Sequence, residues 1–201
     1  MSFREFDLPT VQARFGVTTD NTQSLFATIA PVTISNSLSS SLSTYGPLGL
    51  ASGTEKARSE LLVAPIMGEV WSRSQRQIAV YSGLEFNVDP SRGLNGICDF
   101  VLGVSKQVFF IEAPVLVAVE AKRDSIPDGL GQCGAEMVAA QLFNQQAGKP
   151  TETIYGCVTT GSIWKFLQLR GQHLEIDIDE YSISQPDRIL GVLLHCCGVK
   201  L

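Results

Sequence analysis

Long apolar runs are missing from this sequence. Runs such as Val108–Ile111 and Ala113–Val119 fall far short of the roughly 20 residues an apolar helix needs to cross a bilayer. No membrane segment is therefore expected. The opening MSFREFDLP has no apolar stretch after a basic one, so no signal peptide is expected and the predicted compartment is the cytoplasm. Histidine is scarce: His173 and His195 are the two in the chain, so neither a His-based metal site nor a His-based triad is expected. Cysteine occurs five times, an odd number with no CxxC pair, which excludes a disulfide framework and a zinc ribbon and leaves core thiols as the reading. His195-Cys196-Cys197 cannot form a tetrahedral site alone, because neighbours on a helix point about 100° apart. Charge is also sparse, at 17%, with a net value of −5 and no basic run. Overall charge thus gives no footprint for nucleic acid.

What is present is 44% hydrophobic residues over 201 positions, enough for a sizeable core. Ser35–Thr44 (SNSLSSSLST) has the composition of a linker, yet Leu38, Leu42 and Tyr45 stand at i, i+4 and i+7. That spacing predicts a short amphipathic helix, stopped by Gly46-Pro47 and laid on the body of the protein. A similar helix is predicted over Leu8–Phe15, capped by Asp7 with Pro9 in its first turn. Residues 1–51 accordingly read as an N-terminal arm packed on a domain spanning 52–201. That domain opens with a capping box at Ser52-Gly-Thr-Glu55 and a helix to Trp71, bent at Pro65. Strands follow at Ile78–Asp89, Leu94–Val104 and Val108–Arg123, the last broken at Pro114. A helix then runs from Asp128 through Ala147, before a strand at Thr153–Thr159 and a hairpin of Trp164–Arg170 with His173–Ile178. Ser184–Cys197 closes the chain as a helix. The class is α/β.

The stretch VLVAVEAKR, Val115 to Arg123, carries the chemistry. A strand apolar on both faces is a buried one, and charge at its end is costly unless compensated. Glu120 and Lys122, two apart, project from the same face. If the preceding strand pairs antiparallel, Asp99 comes beside Glu120. Two crowded carboxylates repel, and a divalent cation relieves them; oxygen ligands suit magnesium or manganese. Lys122 would hold a water beside the metal. Glu60, on the apolar side of the first helix with Ala57, Ala64, Met67 and Trp71, is expected to point inward as a third carboxylate, whereas Glu55 is expected to face water. Gln132, near the positive end of the second helix, is placed to bond the attacking water or a phosphate.

With Glu60 on a first helix, Asp99 on a second strand and Glu120-Ala121-Lys122 on a third, the chain resembles the PD-(D/E)XK nuclease superfamily. TEKARSELLVAPI, GLEFNVD, GLNGICDF, VEAKRD, GLGQCGAEMVAAQLFN and YGCVTTGSIWKF are similar to uncharacterised bacterial, largely cyanobacterial, members. The resemblance implies a restriction-endonuclease-like αβββαβ core with a mixed central sheet, flanked by the N-terminal helical arm and a C-terminal helix. It further implies Asp99 and Glu120 as metal ligands, Glu60 as an auxiliary ligand, Lys122 as the catalytic lysine, and Gln132 as the glutamine some branches carry. Magnesium or manganese would be the cofactor and DNA the partner, with a homodimer expected where both strands are cut. Cys98 stands where the name-giving proline would be. Glu136 replaces the tyrosine of the exonuclease branch, so exonuclease chemistry is not implied. The contrasting expectation is a non-catalytic binding or scaffold domain of the same fold, which the acidic balance favours.

Overall fold

The computed structural model describes residues 1–200. Its first helix, α1 (Leu8–Phe15), forms as its sequence predicts: Asp7 accepts the Thr10 N–H at 2.8 Å, and Gly16 ends it in the left-handed region. A short strand follows, β1 (Thr18–Asp20), and then α2 (Asn36–Ala51). Ser35 caps α2, and the helix continues through Pro47 instead of stopping there. The reason is tertiary. Gly46 and Gly49 lie against Leu62, so packing carries the last turn past a residue that disfavours helix.

The next helical segment is split. Thr54, not Ser52, is its cap, accepting the Ala57 N–H at 3.2 Å. α3 (Glu55–Arg58) leads into a π-helical turn at Ser59–Val63 and then α4 (Ala64–Arg73). Pro65 offers no N–H and crowds the preceding turn, and the widened turn just before it absorbs that disruption.

The sheet is built from β2 (Ile78–Glu85), β3 (Ile97–Val104), β4 (Val115–Ala121), β5 (Ile154–Thr159), β6 (Ile163–Arg170), β7 (His173–Ile176) and β8 (Tyr181–Ser182), with β1 added. The long helix α5 (Pro127–Gln146) joins β4 to β5, and α6 (Pro186–Cys196) ends the described chain. The strand order is β1-β7-β6-β5-β4-β3-β2, with β8 on β6. β4/β5 and β1/β7 are parallel and the other pairs antiparallel, a mixed eight-stranded sheet in an α/β protein.

The strand expected from Val108 begins only at Val115. Val108–Phe110 are exposed, and the Gln107 side chain takes the Phe109 and Phe110 N–H groups. Local bonds there replace a ladder.

Each sheet face carries a core. Against one pack α1 and α5, with Phe3, Phe6, Tyr81, Leu94, Met137 and Leu169; against the other pack α4 and α6, with Phe26, Ile66, Phe100, Trp164 and Leu193. The N-terminal arm contributes to both. All five cysteines are free and buried. No described helix is long and apolar enough to cross a membrane.

Candidate active site

Asp99 lies on β3, Glu120 near the end of β4, and Lys122 just past it. Phe100 pairs with Val119, and continuing that antiparallel register by one step sets Asp99 opposite Glu120. One Asp99 oxygen accepts the Ala121 N–H at 2.8 Å, which ties the two strand ends together. The Lys122 N–H donates to the Thr159 carbonyl at 2.7 Å, fixing the Lys122 backbone against the end of β5. The start of α5 closes this face. A Cβ at Gly129 would sit 2.5 Å from Val158 and 3.1 Å from the Lys122 stem, so only glycine admits the helix there.

These elements bring four polar side chains into one chain of hydrogen bonds. The Lys122 ammonium donates to Glu120 Oε1 at 2.6 Å and to Gln132 Oε1 at 2.9 Å. Gln132 Nε2 in turn donates to Glu136 Oε1 at 3.1 Å. Glu120 is 3% exposed and Glu136 fully buried. Glu120 Oε2 and Glu136 Oε2 are buried without a hydrogen-bond partner among the described residues, a costly state for carboxyl oxygens.

The electrostatics follow from that crowding. Burial, then the neighbouring Asp99, push the Glu120 pKa up to about 8, against the pull of Lys122. Burial raises Asp99 too, resisted by the Ala121 N–H, Lys122 and Arg4. Glu136 is held well above the carboxylate range by burial and by Glu120. Burial works against the charge of Lys122, yet Glu120 outweighs it and raises the ammonium above its ordinary value. One cation thus faces three acids, and the set favours added protons or an added cation.

Glu60 does not join it. The expected inward glutamate is 58% exposed and pairs with Lys56 at 2.7 Å. It falls in the π-helical turn Ser59–Val63, where the extra residue per turn rotates it off the face that a 3.6-residue period assigns. Glu55, expected to face water, is exposed, and its charge raises the pKa of both Glu120 and Lys122. Gln132 lies where expected, but as a link between Lys122 and Glu136. Two participants escape sequence reasoning. Glu136, i+4 from Gln132, was legible by spacing alone, whereas Arg4, whose charge opposes the rise in the Asp99 pKa, lies in a distant part of the chain and had no sequence signal.

Among the described residues, no three His, Cys, Asp or Glu side chains form a group that could hold a metal ion. Asp99 and Glu120 nevertheless suit magnesium, which binds through one or two carboxylates and takes its other ligands from water and phosphate. The unpartnered Glu120 Oε2 is the observation that fits such an ion. No protein-family model, curated protein or solved structure matches the chain.

Proposed function

We propose that this protein is a magnesium- or manganese-dependent nuclease hydrolysing DNA phosphodiester bonds at Asp99, Glu120 and Lys122, on a restriction-endonuclease-like core. The observation that carries the proposal is the buried, unpartnered oxygen of Glu120 beside Asp99, with the Lys122 ammonium 2.6 Å from the other Glu120 oxygen. The order helix, three antiparallel strands, helix and a strand parallel to β4 supports the core assignment.

When bound, a divalent ion would supply Lewis-acid stabilisation of charge on the scissile phosphate. The chain's own residues do the positioning. Lys122 has three N–H donors; two are engaged by Glu120 and Gln132, and the third is left for the attacking water or a phosphate oxygen. Gln132 turns its carbonyl oxygen to Lys122 because its NH2 is held by Glu136. That fixes the ammonium without adding charge. Cleavage of both strands would call for two such sites, hence a homodimer on duplex DNA.

Incubation of supercoiled plasmid with the full chain and magnesium tests the proposal. Nicking is expected for the native protein and not for Glu120→Gln or Lys122→Met. Equal nicking by all three preparations would mark a contaminant and refute the assignment. The second reading, a non-catalytic binding or scaffold domain, is favoured by the internally closed bonding of Lys122 with Glu120 and Gln132. It predicts no divalent-dependent rise in melting temperature.

A further inference from the structure

The chain carries an excess of acid, with net charge −5, and four of its fifteen Lys and Arg residues make ion pairs among the described residues. Lys56 pairs with Glu60, Arg73 with Glu69, Lys122 with Glu120 and Arg123 with Asp124. Arg4, Arg14 and Arg92 are among the eleven that do not. All three are exposed, and among the described residues none makes an ion pair. Arg14 and Arg92 also lie together. The Arg14 guanidinium lies 6.0 Å from the Phe6 ring centroid and Arg92 lies 5.1 Å from that of Phe15. Those two rings are 5.5 Å apart, and Arg14 Nη1 donates to the Arg92 carbonyl at 3.4 Å. Arg4, two residues before Phe6, lines a depression of about 250 Å³ with Gly96 and Ile97, two residues short of Asp99.

We propose that Arg4, Arg14 and Arg92 form a track that holds the DNA backbone and leads it to Asp99 and Glu120. This inference rests on the nuclease reading and adds the path of its substrate. Two features support it. Arg14 and Arg92, laid on aromatic rings, are pre-ordered, so less side-chain entropy is lost when each meets a phosphate. The arm that carries Arg4 is also fixed. Phe3 is fully buried with its N–H on the Asn95 carbonyl at 3.0 Å, and a Cβ at Gly131 of α5 would lie 2.3 Å from Asp7 Cα. Arg4 therefore sits on a rigid mount, and its charge opposes the burial that raises the Asp99 pKa.

The test is fluorescence anisotropy of the full chain with a labelled duplex, calcium replacing magnesium to prevent turnover. Arg4→Gln, Arg14→Gln and Arg92→Gln keep part of each stem over its neighbours and remove the charge. Each track residue is expected to contribute close to one unit to the salt slope. Between 50 and 200 mM salt, native binding should therefore weaken about 40-fold more than binding by the triple variant. Arg188→Gln, on α6 against the opposite sheet face and 5.6 Å from the Tyr181 ring centroid, should leave the slope unchanged. Unchanged melting of the variants confirms that folding is not the cause. If the native protein nicks plasmid and the triple variant keeps its slope, the track is wrong and the nuclease reading stands. If the native protein neither binds nor nicks DNA, both fall. A triple variant that does not fold transfers the decision to the single variants, read by the same slope.

Discussion

Replacing Glu120 by glutamine changes one carboxyl oxygen to NH2 and leaves an acceptor for Lys122. In the metal-free protein the native carboxyl has its pKa raised from 4.5 to about 8 by burial and by Asp99. The folded state therefore holds a proton that the unfolded chain releases. The stability linked to it is fully present below the unfolded value and is lost as pH rises through the folded one. By pH 7 the loss from this group is about 3 kcal/mol, from 1.36 kcal/mol per pKa unit over the interval above 4.5. Glu120→Gln carries no such penalty. Without metal it should melt about 6–12 °C above the native protein at pH 7, using the 2–4 °C per kcal/mol expected for a domain of this size. The gap should close towards pH 5. Magnesium should close most of that gap, stabilising the native protein by about 2.7 kcal/mol at a hundredfold excess over its dissociation constant, with little effect on the variant. Thermal melts from pH 5 to pH 9, with and without magnesium, measure both effects. Parallel melting curves for the two proteins across that range would refute the assignment of Glu120 as a buried, proton-holding carboxyl.

Other substitutions probe the remaining parts. Lys122→Met should abolish plasmid nicking while retaining the magnesium-induced rise in melting, since it removes an ammonium and no oxygen ligand; loss of that rise would make Lys122 part of ion binding. Gln132→Ala should lower nicking without removing metal stabilisation. Glu136→Gln, which keeps an acceptor for the Gln132 amide, should preserve more activity than Glu136→Met; equal losses in the two would show that Gln132 is not oriented by Glu136. Gly131→Ala places a methyl 2.3 Å from the Asp7 backbone, so denaturant unfolding should show a loss of about 1–3 kcal/mol. Asp7→Ala should cost about 1 kcal/mol through the lost cap, seen in the same titration.

Much of the local structure was written in short-range chemistry. Asp7 and Pro9 start α1 where a cap and a first-turn proline belong, and the apolar run before Glu120 makes a strand because it is short, β-branched and bounded by turn residues. VEAKR marked the candidate site because Glu and Lys two apart on a strand must share a face, whatever surrounds them. Other features depended on contacts between distant segments. Pro47 remains inside α2 because Gly46 and Gly49 meet Leu62, and Val108–Phe110 stay out of the sheet because Gln107 takes the Phe109 and Phe110 N–H groups. Thr18–Asp20 become a strand only because β7 offers them an edge. The third carboxylate shows the limit most clearly. A 3.6-residue period pointed Glu60 inward, but the π turn ahead of Pro65 rotated it to solvent, where it pairs with Lys56. Arg4 lies about a hundred positions from Asp99 in sequence, and only the burial of Phe3 and Phe6 brings its charge to that carboxylate. Residue types and their periods determined which groups were available for chemistry; packing of distant segments, which no local period encodes, decided which of them meet.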